Sequence, residues 1–250
     1  MRTFLVVSPR PGHAVARAEF DDFLGTAGLD ATEMEHYMLD SPSAQLPDLS
    51  RYAGVFIGGS PFNITNEHYS DHQLAVHEQM TTILNSPVPS LFVCFGTGFS
   101  QVTRGGEVGQ THPEVAGLTT VTLSDAASTD PLTAGVPSHF QAMTGHKENV
   151  VTPAPGSTVL ATGPGGFVHM LRTHEHSWAT QFHPEMNASG MKRRMSFYMN
   201  DGYFDKEDFE RICAELDAAD VTPAHQIVHN FIAFARDYSA QAHAVQAPAV

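Results

Sequence analysis

Cysteine is scarce in this chain, with two residues, Cys94 and Cys213, among 250. So few thiols exclude a disulfide framework. Basic residues are also few: Lys and Arg number 13 against 27 Asp and Glu, a net charge of −14. That balance disfavours nucleic acid and anionic membrane surfaces as partners. Fifteen histidines offset part of it below neutral pH. Long hydrophobic runs are missing too. The run Phe4-Leu5-Val6-Val7 behind Met1 is too short for a membrane span or the apolar core of a signal sequence. A cytoplasmic protein with no membrane partner is therefore expected. Hydrophobic residues make up 42% of the chain, an ordinary globular share, and the length suffices for one large domain with a full core.

The hydrophobic pattern alternates between two periods. Thr3 to Val7, Thr32 to Leu39 and Tyr52 to Ile57 read as strands. His13 to Ala27 reads as a helix stopped by Gly28, and Asp71 to Asn85 as a second helix. Strands alternating with helices predict a mostly parallel sheet flanked by helices. Beyond Gly105-Gly106 the texture changes to short strand-like runs broken by Gly and Pro: Val121 to Leu123, Phe140 to Met143, Thr158 to Ala161, Phe167 to Leu171 and Ser177 to Phe182. Some of these are expected to be antiparallel. Two C-terminal helices follow, Asp205 to Ala218 and Pro223 to Tyr238. No repeat or linker is visible, so residues 1–240 read as a single domain and the alanine-rich stretch 241–250 as a frayed tail.

The chemistry gathers around Ser90-Leu91-Phe92-Val93-Cys94-Phe95-Gly96-Thr97-Gly98. A buried strand leads into Cys94, and a helix starts after it. Gly96 and Gly98 permit the sharp turn between the two. This is a nucleophile elbow with cysteine as the nucleophile. A sulfur at a helix N-terminus faces unpaired N–H groups that favour a thiolate. The competing reading, a buried core cysteine, does not account for the strand before Cys94 or the glycines after it. Cys213 lies in a helical pattern beside Ile212 and carries no role.

A second stretch, Gln181-Phe182-His183-Pro184-Glu185, delivers an imidazole at a strand end and a carboxylate two residues on. Alone it reads as a capped strand end. Beside a cysteine elbow it supplies a base, His183, and an orienting acid, Glu185. Gly58-Gly59 ends another strand, where an N–H facing the elbow, together with the Phe95 N–H, makes an oxyanion hole. Gly96-x-Gly98 lacks the third glycine of a dinucleotide fingerprint, since Gln101 stands there. His169, His174, His176 and His183 crowd together without a metal-binding spacing. No cofactor and no metal are expected.

Four ordered motifs, Gly58-Gly59, Cys94-Phe95-Gly96, Gly145-His146-Lys147-Glu148-Asn149-Val150 and Gln181 to Glu185, resemble those of class I glutamine amidotransferases. The chain looks most similar to stand-alone relatives of the GMP synthase glutaminase domain. The resemblance spans about Val55 to Glu185 and implies a flavodoxin-like α/β core with added antiparallel strands. It implies a catalytic triad of Cys94, His183 and Glu185 that hydrolyses glutamine through a γ-glutamyl thioester and releases ammonia. It implies an oxyanion hole at Gly59 and Phe95, and substrate contacts at Gly58, Gly98, Gly145 and His146. The family pattern Cys-x-Gly-x-Gln has Gly98 in place of its glutamine, which leaves substrate identity open.

Three readings follow. The first is an amidohydrolase acting on glutamine or a γ-glutamyl compound. The second is a γ-glutamyl peptidase using the same triad. The third is a non-catalytic regulatory module, against which the intact triad argues. No synthetase domain is read within the 250 residues, so any acceptor of the ammonia is expected on a separate subunit.

Overall fold

Phe4 and Val6 of the first strand, β1 (Thr3–Ser8), point into one core, and Leu5 and Val7 into another. That alternation places β1 in the middle of a sheet covered on both faces. In the computed structural model, which describes residues 2–199, 202 and 204–246, the same split recurs in β3 (Tyr52–Ile57), where Phe56 faces the first core and Val55 and Ile57 the second.

The remaining strands are β2 (Met34–Met38), β4 (Ser90–Val93), β5 (Glu107–Gly109), β6 (Glu114–Leu123), β7 (His139–His146), β8 (Asn149–Thr152), β9 (Thr158–Thr162), β10 (Val168–His174) and β11 (Ser177–Thr180). Nine of the eleven form one sheet in the order β2-β1-β3-β4-β11-β10-β9-β6-β7. The half from β2 to β11 is parallel, and the half from β11 to β7 is antiparallel. β5 and β8 pair separately. The expected mixed α/β sheet is therefore present, with the flavodoxin-like order in its parallel half.

Among the described residues, six α-helices accompany the strands: α1 (His13–Ala27), α2 (Asp71–Leu84), α3 (Phe95–Thr103), α4 (Ala188–Phe197), α5 (Phe209–Asp217) and α6 (Thr222–Gln246). α1 and α6 cover one face with Phe20, Phe23, Ile227 and Phe231, and α2 and α3 cover the other with Val76, Met80, Ile83 and Phe99. Helix α1 stops at Gly28, whose φ of 62° is the left-handed conformation glycine adopts readily. Helix α2 starts on Ser70, whose hydroxyl accepts the Gln73 N–H.

Two departures from the sequence reading stand out. Helix α4 was not expected, and it packs with α5 in a third apolar cluster built from Met186, Met191, Met195, Phe204, Ile212 and Leu216. Helix α6 continues to Gln246, so residues 241–246 are helical where a frayed tail was expected. Ala240, Ala242 and Ala244 are strong helix formers, and residues 247–250 lie outside the described ones. Among the described residues, no helix is long and apolar enough to cross a membrane.

Candidate active site

In a parallel α/β sheet, ligands bind beyond the carboxyl ends of the strands. The sequence places chemistry-bearing residues at four such ends. Arg10 follows β1, Gly59 and Ser60 follow β3, Cys94 follows β4, and His183 follows β11.

Cys94 adopts φ 56° and ψ −103°, the only positive φ of a non-glycine residue among those described. Its N–H donates to Thr180 O at 2.7 Å, which pins the turn between β4 and β11. Helix α3 begins at the next residue, so its first N–H groups have no partner within the helix. Gly96 allows the helix to fold back over its strand, since a Cβ there would lie 2.9 Å from the Phe92 Cβ. The elbow read from the sequence is thus present, and the strain is held at the proposed nucleophile.

His183 is fixed by its N–H, which donates to Met143 O at 2.8 Å. Its Nδ1 lies 2.7 Å from Glu185 Oε1, and both side chains are buried. Burial opposes a charge on the ring, but the adjacent carboxylate and the Cys94 sulfur more than offset it, and the imidazole is pushed up to about 10. Burial likewise opposes the Glu185 charge. His183 and then Arg194 outweigh it and hold the carboxyl below its ordinary range. The two directions agree on a buried ion pair with His183 protonated.

Gly59 sits beside both groups: a Cβ there would be 3.4 Å from His183 Cε1 and 3.8 Å from Cys94 Cβ. Its N–H donates to Glu19 Oε1 at 2.9 Å, and its carbonyl accepts from Arg10 Nε at 3.1 Å. This corrects the expectation that the Gly59 N–H faces the nucleophile. The buried Glu19 carboxylate, forty residues away in sequence, claims that N–H. Gly58 is also placed differently from its expected substrate contact. Its N–H donates to Val7 O, and a Cβ there would overlap the Glu19 carboxylate. Glycine is required at 58 by Glu19.

The cleft has two lobes that meet at Ser60, Cys94 and Gly145. One is lined by Phe62, Phe95, Gly98, His146, Lys147 and Gln181, among others. The sequence-derived residues Gly98, Gly145 and His146 therefore do gather here. The Glu148 carboxylate accepts the N–H groups of Ile64 and Thr65 at 2.8 and 2.7 Å, and the Thr65 hydroxyl at 2.6 Å. It ties down the loop that carries Ser60. The other lobe reaches Arg10, Met186, Met191, Arg194, Met195 and Phe204.

Below His146 lies a group that the sequence did not connect. Glu114 Oε2 receives His146 Nε2 at 2.9 Å, His169 Nε2 at 3.1 Å and the Thr144 hydroxyl at 2.7 Å. Burial opposes the Glu114 charge, but His146, His169 and the Thr119 hydroxyl hold its carboxyl far below the ordinary range. Burial keeps His146 below its usual value despite that carboxylate. Ligand atoms of Glu114, His146 and His169 lie within 4.8 Å of one another, so these three could hold a metal ion. As they stand, they form a hydrogen-bonded network that fixes His146 at the cleft. Glu114 is 32 and 55 residues from its two histidines, a separation with no local sequence signature. Arg10, Glu19 and Ser60 were missed for a different reason: their significance depends on which strands are neighbours.

An elbow cysteine beside a buried His–Glu pair, at the carboxyl edge of a flavodoxin-like sheet, defines a class of α/β proteins with a cysteine-centred cleft. Within that class, the chain belongs to the class I glutamine amidotransferase family, whose model matches residues 27–200. It is 29% identical over 147 residues to a glutamine-hydrolyzing GMP synthase subunit of Sulfolobus acidocaldarius, an overlap covering 58% of this chain and 74% of that protein. It is also 29% identical over 148 residues to the GMP synthase of Aeropyrum pernix, of which only 26% is covered. The crystal structure of a glutamine amidotransferase from Thermotoga maritima superposes with a TM-score of 0.77 over 95% of this chain and 99% of that one, at 16% identity. At that identity the likeness is one of fold.

Proposed function

We propose that this chain hydrolyses the γ-amide of glutamine or of a γ-glutamyl compound through a thioester on Cys94. The observation that carries the reading is the buried 2.7 Å contact from His183 Nδ1 to Glu185 Oε1 behind a strained cysteine. Glu185 holds the ring so that Nε2 serves the nucleophile. The Cys94 sulfur attacks the γ-carbonyl, the carbon–nitrogen bond breaks, and the departing nitrogen takes a proton from His183. Water, deprotonated by the same imidazole, then cleaves the thioester to glutamate and restores the thiol.

The developing oxyanion needs two donors. The Phe95 N–H at the start of α3 is one. Since Glu19 holds the Gly59 N–H, the second is assigned to the N–H of Ser60, which lines both lobes beside Cys94. Gly98, Gly145 and His146 line the lobe that receives the amino-acid end of the γ-glutamyl group. The relationship to a protein named for one subunit of GMP synthase supports a partner on a separate chain, a synthetase or other acceptor that uses the released ammonia.

The test is active-site labelling with a γ-glutamyl electrophile, followed by peptide mapping. A single adduct on Cys94, lost in His183→Ala, is expected. First modification at Cys213, with Cys94 inert, defeats the proposal.

A further inference from the structure

The second lobe of the cleft is larger than ammonia needs. It holds about 60 Å3 of cavity, several times the ~10–15 Å3 that a single water-sized molecule needs, and it opens to solvent beyond that. Met186, Met191, Met195 and Phe204 wall it, a soft apolar surface that adapts to varied aliphatic shapes.

Arg10 also lines this lobe and is out of place in it. The side chain is buried, at 2% exposure. Its Nε is spent on the Gly59 carbonyl, and its guanidinium lies 5.9 Å from the centre of the Tyr198 ring. Nη1 has no hydrogen-bond partner, and among the described residues no carboxylate lies within 4.0 Å of the guanidinium. Arg194, which lines the same lobe, is by contrast paired with Glu19 at 3.4 Å and Asp22 at 3.9 Å. A buried guanidinium without a counter-ion is strongly unfavourable unless a ligand supplies the charge. Its planar fork fits a carboxylate.

Arg10 is also close to the reacting atoms. Arg10 Nη2 and Cys94 Cβ both lie 3.8 Å from the point where a Gly59 side chain would begin. The two atoms are therefore no farther apart than the ends of a small molecule, so one substrate can reach both.

We infer that the amine expelled at Cys94 is an apolar α-amino acid, so that the substrate is a γ-glutamyl dipeptide whose carboxylate Arg10 binds and whose side chain the methionine lobe receives. The inference rests on the hydrolase reading above. Cys94 attacks the γ-carbonyl, the isopeptide carbon–nitrogen bond breaks, and the nitrogen takes the His183 proton and departs as the free amino acid. Water then releases glutamate and regenerates the thiol.

The experiment compares kcat/KM for γ-glutamyl-leucine, for γ-glutamyl-isopentylamide, which is the same molecule without the carboxylate, and for glutamine. The dipeptide is expected to exceed both others by at least about tenfold, as for a site built around a charged partner. In Arg10→Met the ratio of dipeptide to amide should collapse to near one, whatever happens to absolute rates, and Arg10→Lys should restore part of it. If Arg10→Met does not fold, inhibition of the unaltered protein replaces it: leucine should inhibit at about a tenth of the isopentylamine concentration or less. Turnover of glutamine or the amide as fast as the dipeptide, or a ratio that survives in Arg10→Met, overturns the inference and leaves the hydrolase reading intact. If no γ-glutamyl compound acylates Cys94, both fall together.

Discussion

Cys94 holds a side chain in a backbone conformation that glycine adopts readily and other residues resist, at φ 56°. Such strain costs on the order of 1–3 kcal/mol and is held by the surrounding fold. Cys94→Gly should therefore abolish turnover and raise the melting temperature by roughly 2–6 °C, while Cys94→Ala abolishes turnover without that gain. Differential scanning calorimetry of the two variants decides it, and equal melting points would remove strain from the account. The His183–Glu185 pair makes a second prediction at this scale. A histidine raised from 6.5 to about 10 contributes stability fully below pH 6.5 and loses it as pH climbs through about 10. Glu185, held below 4.5, contributes above that value and loses it as pH falls through its lowered one. The pair stays charged across neutrality, so the alkaline limb of kcat/KM should lie near 10. Glu185→Gln should move that limb down towards neutral pH and lower kcat less than His183→Ala does, because the orienting acid transfers no proton. A limb already near 6.5 in the unaltered protein, or Glu185→Gln the slower variant, would contradict these roles.

Helix α3 settles what Gly98 tolerates. It lies inside the helix without a positive φ, and a Cβ there would meet Val108 and Ile64 side chains at 3.4 to 3.5 Å, ordinary contact distances. Gly98→Gln should fold, with helix propensity favouring it by about 0.5–1 kcal/mol. The new amide enters the lobe beside Cys94, so KM for free glutamine should fall, which steady-state kinetics can read. A lower melting point with activity lost on every substrate would show that the lobe has no room. The Glu148 clamp belongs to the same scale. Glu148→Ala removes three hydrogen bonds from the loop at Ile64 and Thr65. Amide exchange at those two residues should then speed by about ten- to a hundredfold, given 1.5–3 kcal/mol per charge-assisted bond and partial exposure. Elements with a clean period were legible in the sequence: α1, α2, β1, β3 and the elbow strand. Helix α4 was not, because Lys192, Arg193 and Arg194 interrupt its apolar stripe, and Arg194 is buried on acidic partners instead of facing water. β5 and β8 are three and four residues long and carry no pattern of their own.

Across the whole molecule, the parts of the site adjacent in sequence could be read, and the parts adjacent only in space could not. Cys94-Phe95-Gly96 and His183-Pro184-Glu185 each carry their chemistry within a few residues. Glu19 reaching Gly59, Glu148 reaching Ile64 and Glu114 joining two histidines depend on strand order. That order is held from behind by α6, whose Phe231 is fully buried with its ring 4.8 Å from that of Phe56 in β3. Asn230, its neighbour in the helix, binds the carbonyls of Leu132 and Ala134, and Arg236 pairs with Glu33 at 2.9 Å. The helix thus fastens the sheet on the face away from α2 and α3, and among the described residues none from α6 lines either lobe of the cleft. Phe231→Ala should cost about 3–5 kcal/mol through the cavity it leaves. For a chain of this size, at roughly 2–4 °C per kcal/mol, the melting temperature should fall by roughly 6–20 °C. Well below that melting point, KM and active-site labelling of Cys94 should match the unaltered protein, since β4 and β11 still hold the elbow through the Cys94 N–H and Thr180. A variant that melts normally would show that α6 does not brace the sheet. One that stays folded but labels slowly would show that α6 shapes the site as well.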